Sequence, residues 1–168
     1  MLVQAAETRF QRGLSALKEG RDLEALALFE AAIELERRLG ARTPQARYLS
    51  YYGLALARDG GRVKEGAEYC RQAIALEFFN ADLCWNYGRV LLLQDRRKEA
   101  FATFIKGLKV QKNHQEILGE LSRMGWRRRP MLAFLPRANP INTALGKLFR
   151  SAPRSAPVRR RASGSATG

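Results

Sequence analysis

The sequence predicts an all-α fold: three helix-turn-helix repeats and a capping helix stacked as an α-solenoid, followed by a basic, partly disordered C-terminal tail. Three observations carry this prediction. Residues recur at matched positions in three stretches of the chain. Apolar residues within those stretches fall at helical spacing. Charge is divided between a nearly balanced body and a cationic end.

The first copy runs from Glu7 to Leu35. Its first helix carries Phe10 and Gly13, Gly20 marks a turn, and its second helix carries Ala25, Leu26, Phe29, Ala32 and Ile33. The third copy runs from Asp82 to Val110. There Trp85, Gly88, Ala100, Phe104 and Gly107 stand 75 residues after Phe10, Gly13, Ala25, Phe29 and Ala32. The middle copy has Tyr52-Gly53-Leu54, a Gly60-Gly61 turn, then Gly66, Cys70, Ala73, Ile74 and Leu76. The turns use Gly20, Gly60-Gly61 and Asp95, residues suited to helix ends. Gly13, Gly53 and Gly88 sit in mid-helix, where glycine costs roughly 1 kcal/mol against alanine. Their recurrence predicts close approach of a partner helix, with Ala25, Gly66 and Ala100 as the facing small residues. The spacing drifts from 40 residues (Gly13 to Gly53) to 35 (Gly53 to Gly88). The extra length is placed around Arg37–Arg42, which extends the second helix to Gly40, and Thr43-Pro44 is read as the N-cap and first position of the third helix. After the third copy, His114–Met124 presents Ile117, Leu118, Leu121 and Met124 on one face, the pattern of a helix that covers the open end of an array.

This alternation of small and large residues resembles the tetratricopeptide repeat (TPR), a helix-turn-helix unit of about 34 residues. The resemblance covers about residues 5–113. The family's early aromatic falls one place late, at Phe10 and Trp85, and Leu49-Ser50 replace it in the middle copy. Its repeat-ending proline is replaced by Arg37, Phe78 and Lys112. The resemblance implies a concave groove lined mainly by first helices, with Phe10, Leu14, Leu17, Tyr51, Leu54, Trp85, Asn86, Arg89 and Leu93 as the partner-binding positions. Some members hold a chaperone's C-terminal carboxylate with Lys and Asn at such places. Only Arg89 fits that scheme here, so a carboxylate clamp of that kind is not expected. A groove of Phe, Leu and Trp suits an apolar helix or extended segment of another protein.

Composition sets the outer limits. The chain has 168 residues, 46% of them apolar, enough for one ordinary domain and too many for wholesale disorder. No apolar run approaches the ~20 residues of a membrane-spanning helix. The first residues, Met1 to Glu7, lack the basic and apolar regions of a secretory leader, so a cytoplasmic location is expected. Two cysteines and one histidine exclude a disulfide scaffold, a four-cysteine zinc site and a multi-histidine metal site. Arg outnumbers Lys by 23 to 7, a composition associated with GC-rich bacterial genomes.

The formal charge is +14, from 30 Lys and Arg against 16 Asp and Glu. Residues 121–168 contribute 11 of the cations and no acid. The sequence therefore divides into a repeat domain with its cap (1–124), a Pro-interrupted basic extension (125–150) and a disordered Arg/Ser/Ala tail (151–168). In the extension, Met131–Leu135 is apolar, and Asn139-Pro140 starts a short amphipathic stretch through Ile141, Leu145 and Phe149. Met124–Asn142 is similar to an extension found on some bacterial TPR proteins. Whether residues 130–149 dock on the repeats or bind a partner or membrane is left open by the sequence. The tail cations are Arg127, Arg128, Arg129, Arg137, Lys147, Arg150, Arg159, Arg160 and Arg161. Their alternative role is attraction to phosphate, on nucleic acid or on an anionic membrane contacted peripherally.

No catalytic constellation is present, and no cofactor, metal or small-molecule substrate is expected. His114 lacks a nearby Cys or Ser and is read as a solvated junction residue. Cys70 and Cys84 occupy apolar repeat positions and are read as buried thiols. Glu30, Glu34 and Glu36 are read as solvated helix-face acids. The expected function is non-enzymatic protein–protein recognition, as an adaptor or assembly scaffold.

Overall fold

The computed structural model describes residues 2–59 and 61–125. The described residues form seven helices and no strand: α1 (Leu2–Lys18), α2 (Asp22–Arg38), α3 (Ala46–Arg58), α4 (Val63–Leu76), α5 (Ala81–Leu93), α6 (Arg97–Val110) and α7 (Gln115–Arg123). Helices α1 and α2, α3 and α4, and α5 and α6 pack as antiparallel pairs, and α7 follows on the last pair. The short turns inside pairs need a left-handed residue. Gly20 (φ 78°) and Asp95 (φ 58°) supply it, and the amide after each reaches back into the helix: Arg21 N–H to Ala16 O at 2.9 Å and Arg96 N–H to Leu91 O at 2.9 Å.

The mid-helix glycines do mark close approach, but the partners differ from those expected. A Cβ on Gly13 would stand 2.6 Å from the Phe29 ring, and one on Gly88 2.2 Å from the Phe104 ring. Each glycine is thus the notch for an aromatic of the facing helix, not for Ala25 or Ala100. In the middle pair the residue at the aromatic's place is the small Cys70. With no ring in the way, the two backbones close on each other. A Cβ on Gly53 would lie 2.5 Å from Gly66 O, and one on Gly66 2.3 Å from Gly53 O. Only Gly53 meets the small residue that the sequence assigned to it.

The core is continuous across the first two pairs and into the third. Phe10 lies against Phe29, Tyr48 and Tyr51, with ring centroids 5.5, 4.6 and 5.6 Å away. A second cluster (Leu91, Ala100, Phe104, Ile117 and Leu121) joins the third pair to α7. Ile117 fills the notch at Gly107, where a Cβ would lie 2.5 Å from its Cδ1.

The connection from α2 to α3 corrects two expectations. Helix α2 ends at Arg38, with Gly40 left-handed beyond it (φ 83°). Helix α3 begins at Ala46 with Gln45 as its N-cap, two residues after the expected start at Pro44. The cause is Glu36. Its carboxylate accepts the Gln45 backbone N–H at 2.8 Å and the Gln45 side-chain amide at 2.5 Å. This holds Gln45 itself outside the helix, with φ −57° and ψ 137°. Glu36 is consequently buried, not solvated; Glu30 and Glu34 are exposed, as expected.

Helices α1 and α3 are tied by one polar clasp. Arg47 Nη2 donates to Glu7 Oε2 at 2.6 Å, and the Tyr48 hydroxyl donates to the same oxygen at 2.9 Å. The Glu7 carboxyl is held below its usual range by the Gln11 amide first, against the opposing effect of burial, and then by Tyr48 and Arg47. Burial, with the Glu7 bond second, pushes the Tyr48 phenol up to about 12.

Two outcomes are expected. Gly53→Ala should destabilise the protein by about 1–3 kcal/mol in chemical denaturation, because the obstruction is backbone that cannot turn aside. Gly119→Ala, which meets nothing within 4 Å in α7, should instead stabilise by about 0.5–1 kcal/mol. The Glu7 carboxyl, depressed in the folded state, contributes stability that is present above its unfolded value and is lost as pH falls through the folded one. Glu7→Gln should therefore flatten the acid limb of a stability–pH curve while leaving its course through neutral pH parallel to wild type.

Candidate protein-binding groove

The first helix of each pair, together with α7, lines a hollow on one face of the stack. Its first part, of about 380 Å³, is bounded by Leu14, Leu17 and Lys18 of α1, Tyr51 and Arg58 of α3, Asp82, Trp85 and Arg89 of α5, and Glu116 of α7. Its second part, of about 430 Å³, adds Asp22, Leu54, Leu92, Leu93 and Glu120. Arg58 and Arg89 border both parts and so mark the centre.

These two cations differ in how they are held. Arg58 is committed: its Nη2 stands 2.9 Å from Asp22 Oδ1, and its Nε donates to Asp22 Oδ2 at 3.2 Å. Arg89 is not. Its guanidinium lies over the Trp85 ring at 5.1 Å, and its nearest acid, Glu120, is 3.8 Å away. Glu120 accepts from Arg123 at 2.7 Å. Burial, with the neighbouring Arg58 second, pulls the Arg89 pKa down. A half-buried guanidinium whose one acid is 3.8 Å away and shared with another arginine is only loosely paired, and it favours an incoming anion. The Trp85 indole N–H below it is buried without a hydrogen-bond partner among the described residues.

The predicted groove residues separate into two groups. Leu14, Leu17, Tyr51, Trp85, Arg89 and Leu93 border the hollow, Leu93 being 52% exposed. Phe10, Leu54 and Asn86 are corrected to core. Phe10 is enclosed by the three aromatic rings named above. Leu54 underlies the hollow with no exposed surface. Asn86 is fully buried and donates to Ser50 Oγ at 3.1 Å, a bond between neighbouring first helices. The resemblance assigned groove positions from first helices as a whole, whereas a helix turning by 100° per residue presents only part of its surface to the hollow. The sequence also missed Lys18, Arg58, Asp82, Glu116 and Glu120. A signal was present: Lys18 is four places after Leu14, Arg58 four after Leu54, and Asp82 three before Trp85, all one turn away on nearby faces.

His114 is the clearest correction. It is 3% exposed, not solvated. Its Nδ1 accepts the Ile117 backbone N–H at 3.3 Å, and its Nε2 stands 2.9 Å from Asp82 Oδ1. An imidazole thus N-caps α7 and ties it to the start of α5, a role that Ser, Thr or Asp usually fills. Cys70 and Cys84 are buried as expected. The Cys70 thiol donates to Ser50 O at 3.3 Å, and burial pushes its pKa up to about 12. No described helix is long and apolar enough to cross a membrane. Among the described residues, no group of His, Cys, Asp and Glu is placed to hold a metal ion. The tail cations Arg127, Arg128, Arg129, Arg137, Lys147, Arg150, Arg159, Arg160 and Arg161 lie outside the described residues, as do the boundary at 150 and the stretches Met131–Leu135 and Ile141–Phe149.

Antiparallel helix pairs stacked with their first helices around a common hollow decide the fold. It is the tetratricopeptide-repeat fold. The TPR domain of Arabidopsis OM64 superposes with a TM-score of 0.60 at 21% identity, over 74% of this chain and 98% of that one. The first TPR of Spaghetti (RPAP3) bound to the HSP90 peptide SRMEEVD gives a TM-score of 0.58 at 17% identity, over 73% and 94%. The second TPR domain of human RPAP3, in complex with the HSP70 peptide SGPTIEEVD, gives 0.57 at 20%, over 76% and 100%. No protein-family model matches the chain, and no curated protein sequence matches it.

His114→Ala should cost about 0.5–2 kcal/mol in chemical denaturation. Amide exchange should rise most in α7, with that of the α1–α2 pair unchanged.

Proposed function

We propose that this TPR-fold chain is a non-enzymatic protein-interaction module, an adaptor or assembly scaffold, that takes a segment of a partner protein in the hollow between α1, α3, α5 and α7. One observation carries the reading: Arg89 stands at the junction of both parts of the hollow, stacked on Trp85 and paired only at 3.8 Å with Glu120, a carboxylate that Arg123 holds more closely. A cation on an aromatic face beside apolar walls is the composition found at binding hot spots. Leu14, Leu17, Trp85 and Leu92 would take apolar side chains of the segment, and Arg89 one carboxylate. That RPAP3 domains of the same fold hold acidic peptides supports the class of ligand. Leu14 and Leu17 on the inner wall favour a more apolar segment than an acidic C-terminus alone.

The test is affinity capture from nuclease-treated lysate at about 0.5 M salt, where counter-ion-driven binding to polyanions collapses. Captured proteins are identified by mass spectrometry, and their affinity for purified wild type, Trp85→Ala and Arg89→Gln is then measured by calorimetry. Each substitution should weaken a genuine groove ligand by about 2 kcal/mol or more, roughly thirtyfold. Thermal stability should change little for Arg89→Gln. A partner that binds both variants as tightly as wild type would sink the reading.

A further inference from the structure

The hollow is charged differently at its two ends. Consecutive helices run antiparallel, so α1, α3, α5 and α7 point the same way along it. Asp82 and Glu116, each the second residue of its helix, border the hollow where these helices start. Lys18 and Arg58, each the last residue of its helix, border it where they finish. Arg89 stands between, toward the finishing end, as the ninth of the 13 residues of α5. Leu14, Leu17, Tyr51 and Trp85 form the walls of this part of the hollow.

The acids at the starting end have no lysine or arginine to neutralise them. Among the described residues, the basic group within ion-pair distance of either is His114, 2.9 Å from Asp82 and 3.3 Å from Glu116. His114 Nδ1 accepts the Ile117 N–H, so that nitrogen holds no proton for Glu116, and the ring N–H is left on Nε2, facing Asp82. A neutral imidazole leaves both carboxylates charged, and their side chains are 61% and 59% exposed, open to an incoming cation. A helix start offsets about half a charge, less than the carboxylate beside it. Glu7 and Arg47, toward the same end of α1 and α3, pair with each other. At the finishing end the balance reverses. Arg58 takes Asp22 and Arg123 takes Glu120, which leaves Arg89 only loosely paired and Lys18 with no acid within ion-pair distance among the described residues. The two groups of charges also act on different neighbours. After burial, Asp82 and Glu116 push the Tyr51 phenol up to about 12, whereas the charges acting most on Arg89 are Arg58, Glu120, Arg123 and Asp22.

From this we infer that the hollow takes an extended segment of a partner protein in one orientation: a lysine or arginine of the segment lies between Asp82 and Glu116, its apolar side chains lie on Leu14, Leu17 and Trp85, and its carboxylate meets Arg89 and Lys18. The inference rests on the hollow being a protein-binding site and adds the basic residue, its place and its spacing from the acid. Asp82 and Arg89 are seven residues apart on α5, ~10 Å at 1.5 Å per residue. An extended segment covers that in about three residues, and in the polyproline-II form residues three apart share a face. A helix over the same span, 10–12 Å across, would fill roughly 800 Å³, about twice the 380 Å³ of this part of the hollow.

The experiment selects random peptides, displayed between fixed linkers so that neither terminus of the insert is free, on the full chain. Inserts retained by wild type and lost on Trp85→Ala should carry a lysine or arginine three residues from an aspartate or glutamate, with apolar residues beside them. Glu116→Lys should weaken these peptides by about tenfold or more in calorimetry, because like charges then face each other. Glu68→Lys, the same change of charge on an exposed position of α4, should not. A selection repeated on Glu116→Lys should return inserts with an acid where the base had been, an exchange that loss of folding cannot produce. Far-ultraviolet circular dichroism should match wild type for both lysine variants. If the inserts depend on Trp85 and Arg89 but lack the base and bind Glu116→Lys as wild type, the inference fails and the hollow remains a protein-binding site. A base and acid seven residues apart would be the spacing of a helix and would overturn the extended form. If no insert depends on Trp85, both readings fail. The inference fails too if a benzophenone amino acid in place of Leu14, irradiated without peptide, cross-links to residues beyond 125 or to a second copy, since the hollow then belongs to that occupant.

Discussion

Everything in this stack depends on how closely paired helices can approach, and a missing Cβ sets that distance. At Gly13 and Gly88 the vacancy receives an aromatic ring from the facing helix. At Gly53 it receives backbone. The two solutions are linked by one residue. Where the second helix offers Phe29 or Phe104, the ring keeps the backbones apart. Where it offers Cys70, they close together. Side-chain volume is thus exchanged for backbone proximity while the overall stacking is preserved, as the close packing of protein interiors demands. The first helices then lie near enough to one another to enclose a hollow, and Asn86 can reach Ser50 across the gap.

Most of the architecture was legible in the sequence because it repeats. A residue that recurs at a fixed distance, such as Gly13, Gly53 and Gly88, reports a structural demand that a single occurrence could not. What was not legible involves residues that occur once. Glu36 looked like any other acid on a charged helix. Only the fold shows that Gln45 returns to it with two donors, burying it and delaying α3. His114 looked solvated because its partner Asp82 is 32 residues away in the chain. The groove was half legible: the resemblance to tetratricopeptide repeats named Leu14, Leu17, Tyr51, Trp85, Arg89 and Leu93, which border the hollow, but also Phe10, Leu54 and Asn86, which do not reach the surface. A repeat pattern shows which residues matter to packing, and it says less about which side of a helix is left for a ligand.

The hollow and the α4–α5 connection obey the same rule with different outcomes. Burial is favourable for hydrocarbon and costly for an unpaired charge. Within the stack that rule removed Phe10 from the surface and gave Arg58 its carboxylate. It left Arg89 only loosely paired with Glu120 in one place and Phe78 and Phe79 exposed in another. Both are departures from what folding alone would favour, and such departures are where binding surfaces are expected.

The side-chain hydrogen bonds that join one helix to another have a kinetic consequence. The clasp at Glu7, the Arg58–Asp22 pair, the Asn86–Ser50 bond and the His114–Asp82 contact all join residues no more than 41 positions apart. That is little more than one repeat. Among the described residues, none of these contacts waits for a distant stretch of chain. Such low contact order favours rapid folding. During synthesis the first pair can close on itself while the third is still being translated, and each later pair docks onto a finished template.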